Sequence, residues 1–212
     1  MLIERPPLLY RLLSPHGIWR LPLRDRKGVY FTFDDGPIPE VTPWVLDTLD
    51  RYDVKATFFC VGENAHRHPE LVAEILARGH SLGNHTYNHL QGLKVPTARY
   101  LDNVAEAAAL LPSRLFRPPH GIMRPKQARL LKQHYSIVMF DLVSRDYSRR
   151  LSPEQVLHNV VRYARNGSII VWHDSLKAQH NVRYALPRAI EWLREHGFEI
   201  VPLISQILRD EQ

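Results

Sequence analysis

Short apolar runs alternate with amphipathic helical stretches along nearly the whole chain, and this regularity limits what it can fold into. The runs at 28–33, 55–61, 80–83, 113–117, 135–140, 167–172 and 198–201 read as seven strands. Helical patterns fall between them, at 43–49, from 69 to a stop at Gly79, at 97–111, 125–133, from 152, and at 183–195. One start is explicit: Ser152 caps, Pro153 takes the first helical position and Gln155 completes a capping box. Strands that alternate with helices predict an α/β fold with a parallel sheet, either closed into a barrel or doubly wound. Polar residues help to choose. Asp34-Asp35, His85, Arg117, Asp141/Asp146 and His173 each follow the C-terminal end of a different strand. In a barrel those ends share one rim, where barrel enzymes place their chemistry. An open sheet would spread them along an edge, so the barrel is the expectation.

A chain of 212 residues suits one domain. We expect residues 28–212 to form it, with 1–27 as an N-terminal strap packed on the barrel. The net charge is +6, but the positive residues are scattered and no basic run of five occurs, so no nucleic-acid partner is expected. The lone Cys60 sits in an apolar run and reads as a buried small hydrophobe. The N-terminus lacks the pattern of a secretory signal, and no apolar run is long enough to span a bilayer. On those grounds the expected location is cytoplasmic. Oligomeric state is not readable.

Chemistry concentrates in a few segments. Asp34 and Asp35 close the first strand in Thr32-Phe33-Asp34-Asp35-Gly36-Pro37, and Asn84-His85-Thr86-Tyr87-Asn88-His89 adds two histidines four apart. A carboxylate with two imidazoles makes a three-ligand metal site with a position left open, and the second carboxylate is then free to handle protons. Read alone, Asp-Asp-Gly-Pro also fits a plain turn, and the histidines a surface pair. The spacing of four places the two histidines on one face of a helical turn. His173 ends the most apolar strand, as a general acid or as a satisfied core histidine. Arg117 precedes two prolines and wants a carboxylate partner.

Five segments in order resemble the polysaccharide deacetylase family (NodB homology, carbohydrate esterase family four). They are Thr32-Phe33-Asp34-Asp35-Gly36, His85-Thr86-Tyr87-Asn88-His89, Arg117-Pro118-Pro119-His120-Gly121, Ser144-Arg145-Asp146-Tyr147 and Val171-Trp172-His173. The resemblance implies a distorted (β/α)7 barrel and a divalent metal, zinc first, with cobalt, nickel, manganese or iron as alternatives. It implies Asp35, His85 and His89 as metal ligands, Asp34 as general base and His173 as general acid. Arg117 would orient Asp34, the His120 amide would stabilise the oxyanion, and Asp146, Tyr147 and Val171 would complete the acid and substrate side. The implied activity is hydrolysis of N-acetyl groups on a sugar or polysaccharide of chitin-oligosaccharide or peptidoglycan type. Three positions depart from the family's pattern: His120 stands for a tyrosine, Val143 for an aspartate that supports the acid, and Tyr147 for a tryptophan. With Val143 apolar, support for His173 is expected from Asp146 or Asp141. Two other readings stay open, a metal-dependent amidohydrolase acting on a small non-sugar amide and a non-catalytic carbohydrate-binding protein of this fold.

Overall fold

Aromatic and β-branched residues dominate β1 (Lys27–Asp34), which is buried from Gly28 onward, as a central strand of a parallel sheet must be. The computed structural model describes residues 4–12, 14–203 and 207. The expected strap (1–27) and domain (28–212) lie outside the described residues at 1–3, 13, 204–206 and 208–212. In chain order the elements are α1 (Leu8–Leu12), β1, α2 (Thr42–Arg51), β2 (Thr57–Cys60), α3 (Gly62–Arg67), α4 (Pro69–Ala77), β3 (Ser81–Asn84), α5 (Thr97–Ala108), β4 (Leu115–Phe116), α6 (Pro125–Leu131), β5 (Ser136–Ile137), β6 (Leu142–Val143), α7 (Pro153–Tyr163), β7 (Ser168–His173), α8 (Gln179–Glu195) and β8 (Phe198–Ile200).

The strands form one parallel sheet in the order β5-β4-β3-β2-β1-β7-β6, with β8 pairing the first residues of β1. The sheet curls into the distorted (β/α)7 barrel expected. Its edges β5 and β6 are not joined by a ladder among the described residues. On the open side Ile18 pairs with Val138 beyond β5, and Arg20 with Ser168 at the start of β7. Residues 18–20 thus reach from one sheet edge to an inner strand. Gly167 (φ 82°) sits where a Cβ would come 2.4 Å from Pro22 N, so this N-terminal backbone packs directly on the turn before β7.

Side-chain parity sets what faces where. Phe31 and Phe33 of β1, Phe58 of β2 and Trp172 of β7 pack outward with Val45, Leu46 and Leu49 of α2 and Val182, Leu186 and Ile190 of α8 in the largest core cluster. Tyr30, Phe59, Leu115, Val138 and Ile169 form a separate cluster on the other face of the sheet, inside the barrel. Continuing in steps of two, Tyr30 leads to Thr32 and Asp34, Leu115 to Arg117, and Ile169 to Val171 and His173. The interior columns therefore end in the chemical residues. Cys60 lies in β2 in the outward cluster, where burial pushes its thiol well above the ordinary range, and it is structural.

Several elements differ from the sequence expectation. Two-residue β6 and the short α3 carry too few residues for a readable period. The ladder to β4 stops at Ile137, since the next donor position on that side is Pro118, which has no N–H. The carbonyls of Val138 and Met139 accept instead from the Arg117 guanidinium (3.2 and 3.0 Å). α8 starts at Gln179 rather than at 183, its first turn anchored by buried Asn181 and Val182, and it accommodates Pro187.

Asp141 is buried in the loop between β5 and β6, where Arg11 (2.6 Å), Arg165 and Ser168 (2.8 Å) surround its carboxylate. Burial alone would raise this carboxyl, but the two guanidinium groups outweigh it and hold it at about 2. The folded value lies below the unfolded one of about 3.9, so the contribution is present above that pH and is lost as pH falls toward 2. Urea unfolding of Asp141→Asn at pH 7 is expected to show a loss of about 2 kcal/mol. Between pH 4 and pH 2 its stability should fall less steeply than the parent's.

Candidate active site

Arg117 leaves β4 on the interior face and is fully buried. Its Nη1 donates to Asp34 Oδ1 (2.6 Å) and Thr32 Oγ1 (2.8 Å), its Nε and Nη2 bond the two carbonyls after β5, and its Cζ lies 4.1 Å from the Phe59 ring centroid. A buried guanidinium with every edge engaged has one position available to it. Asp34, at the end of β1, is thereby held by one oxygen while Oδ2 stays 4.0 Å from His85 Nε2.

The same residue orients the first histidine. His85 Nδ1 lies 2.8 Å from the Arg117 carbonyl. A carbonyl only accepts, so Nδ1 carries the hydrogen and Nε2 presents its lone pair. Burial holds the His85 imidazole down at about 4, keeping it neutral at pH 7 as a metal ligand must be. The expected helical turn for His85 and His89 is not formed. Both lie in a loop after β3, and Thr86 and His89 take left-handed backbone (φ 66° and 56°). That bend, tied by Asn84 Oδ1 to the Thr86 amide (2.9 Å), turns the two rings to 5.1 Å between centroids. The spacing of four was informative although the helix was not.

Asp35 follows β1 with φ 82°, so the bend that brings the two neighbouring carboxylates into one cleft starts at Asp35, one residue before Gly36. Its Oδ1 lies 3.3 Å from His89 Nε2 and 3.9 Å from His85 Nε2. One ligand atom from each of Asp35, His85 and His89 lies within 4.8 Å of the others. One carboxylate and two imidazoles, one of them with its tautomer fixed, form a donor set that fits a divalent ion such as zinc and leaves room for another ligand.

Facing this group, His173 ends β7 next to Asp34 in register. Asp146 binds it twice, through Oδ1 to the ring Nδ1 (2.7 Å) and through Oδ2 to the backbone N–H (2.7 Å). Burial works against the imidazolium, but the Asp146 carboxylate outweighs it and raises His173 to about 9. Of the two candidates for supporting the acid, Asp146 is the one in contact, and Asp141 is committed to Arg11 and Arg165. The cleft between the two halves encloses about 190 Å³ and is lined by Asp34, Asp35, His85, His89, His120 and His173. Phe140, Val143, Val171 and Tyr147 give it an apolar wall. His120 (φ 60°) sets its ring against His89 at 4.8 Å.

Three residues near this cleft escaped the sequence reading. Lys177 lines it from the loop before α8, Asn64 sits on the short α3, and Asp174 follows His173 directly. Asp174 is buried, and burial raises its carboxyl to about 7. Its position next to His173 in the sequence was the available signal. For Asn64 there was none.

The family described as polysaccharide deacetylase matches residues 23–136, more than half of the chain. A peptidoglycan-N-acetylglucosamine deacetylase of Bacillus cereus is 32% identical over 212 residues, spanning 95% of this chain and 98% of its own. A chitooligosaccharide deacetylase of Bradyrhizobium sp. is 33% identical, covering 84% of this chain and 89% of its own. Among solved structures, a peptidoglycan N-acetylglucosamine deacetylase in complex with 4-naphthalen-1-yl-N-oxidanyl-benzamide superposes with a TM-score of 0.86. It is 30% identical and covers 95% of this chain and 96% of that one.

The ionisation of His173 is open to direct measurement. Titration of its ring by NMR is expected to give a value near 9 in the parent protein. In Asp146→Asn the largest counterweight to burial is lost, Asp35 and Asp34 alone still favour the imidazolium, and the value should fall.

Proposed function

Because the chain belongs to the polysaccharide deacetylase family, we propose that it is a metal-dependent hydrolase that removes N-acetyl groups from an N-acetylated saccharide, of chitin-oligosaccharide or peptidoglycan type. The observation that carries this reading is the placement of Asp34. Arg117 grips one of its oxygens, and the other faces His85 beside the Asp35-His85-His89 group, with the Asp146-supported His173 next to it in register. Residues 28–212 would be the catalytic domain, with 1–27 packed on it.

Asp35, His85 and His89 would hold the ion, zinc in our reading. Bound there, it would acidify a water and polarise the amide carbonyl. Asp34 takes the proton from the attacking water through Oδ2, since Oδ1 is held by Arg117. Water oxygen adds to the acetyl carbon, and the backbone N–H of His120 donates to the oxygen that gains charge. His173 enters the reaction protonated and gives its proton to the nitrogen as the carbon–nitrogen bond breaks, releasing acetate and a free amine. Phe140, Val143, Val171 and Tyr147 form a dry wall suited to the acetyl methyl. Val143 therefore serves that wall, while Asp146 supplies the support for the acid.

Acetate release from N-acetylglucosamine oligomers and peptidoglycan fragments, with chelator and metal add-back, is the test. Asp34→Asn should lower the rate by about 10²- to 10⁴-fold while metal binding is retained. Full activity of that variant would remove Asp34 from the role of base. Release from small non-sugar amides but from no saccharide, under any metal, would overturn the substrate assignment.

A further inference from the structure

Asp35 has to do two things that conflict. Its carboxylate must point at His85 and His89, and for that its backbone sits at φ 82°, a region that side-chain-bearing residues rarely occupy. Such a conformation persists only where the surroundings determine it. Here they do so on both sides. The peptide group that follows Asp35 is gripped at each edge: its carbonyl accepts from Asn64 Nδ2 (2.8 Å) and its N–H, that of Gly36, donates to Asp174 Oδ1 (3.0 Å). The peptide group that precedes Asp35 is held as well, because the Asp34 carbonyl accepts from the Asp174 amide (3.3 Å).

Asp174 is itself locked. Its Oδ2 accepts from the Thr42 hydroxyl (2.6 Å), which in turn accepts from the Ile38 amide (2.7 Å). The side chain is packed so closely on the loop that a Cβ at Gly36 would lie 1.9 Å from its Oδ2. The glycine after the aspartate pair is thus required by the close approach of Asp174.

We propose that Asn64 and Asp174 are positioning residues for Asp35, clamping the peptide planes on either side of it and so aiming its carboxylate into the metal group. This rests on the reading of Asp35 as a metal ligand. Neither residue touches that group through its own side chain in the contacts described. Both act through the backbone, so their loss should appear in metal affinity before it appears in any other property. Because Asp174 adjoins His173, the clamp also joins the strand end that carries the ligand to the one that carries the acid.

Zinc dissociation constants, measured by competition with a chromophoric chelator and without substrate, decide the matter. Asn64→Ala and Asp174→Ala are each expected to weaken zinc binding by about tenfold or more, the usual cost of losing a group that orients a ligand. Asp174→Asn keeps one acceptor for the Gly36 amide and should recover part of the loss. The control is Asn166→Ala, which removes bonds of the same kind to the Leu23 carbonyl (2.8 Å) and from the Leu23 and Gly28 amides (3.2 and 3.0 Å), at the far end of β1 from the metal group, and should stay within about twofold. Should Asp174→Ala fail to fold, Asn64→Ala tests the same peptide group from its other edge. A change smaller than about tenfold in Asn64→Ala, with normal binding by the parent, overturns this proposal alone. Absence of zinc binding by the parent protein would overturn both it and the functional reading beneath it.

Discussion

A single buried ion pair organises the interior of this barrel. Arg117 comes from β4 and Asp34 from β1, and the 2.6 Å contact between them crosses the space that the sheet encloses. Desolvating two charges is costly, and such a pair is retained only when its remaining donors and acceptors are engaged. Arg117 meets that condition with Thr32, two carbonyls and the face of Phe59. The consequences extend outward. Its guanidinium holds the two carbonyls that follow β5, and its own carbonyl sets the tautomer of His85. The residue that orients the proposed base thus also orients a proposed metal ligand.

The two halves of the cleft use similar means to different ends. On one side burial keeps His85 neutral, with a lone pair free for a metal. On the other a carboxylate bound to both the ring and the backbone keeps His173 charged, with a proton to give. Two imidazoles in one cleft are therefore driven to opposite protonation states, one by burial and one by its carboxylate partner, as the proposed division between ligand and acid requires. The apolar wall of Phe140, Val143, Val171 and Tyr147 borders the cleft that both rings line.

Much of this was legible in the chain. Interior columns in β1, β4 and β7 follow from alternation, and their polar ends are visible as Asp34, Arg117 and His173. Histidines four apart signalled proximity but not its cause, since a left-handed threonine rather than a helix brings them together. A two-residue strand and a six-residue helix carry too little pattern to be read, and Asn64 was lost with the latter. The choice between Asp141 and Asp146 as support for His173 depended on which way a loop turns, and the cations around Asp141 decide it only in three dimensions. The departures at Val143 and His120 are changes of residue whose effect on the cleft wall needs the neighbouring strands to interpret.

The central claim is that Asp35, His85 and His89 form one metal centre next to an Arg117-held Asp34. Anomalous diffraction from crystals grown with zinc addresses it most directly. The account requires a strong peak about 2.0–2.2 Å from an Asp35 oxygen and from one nitrogen of each histidine. Zinc bound through other residues, with these three left empty, would contradict it.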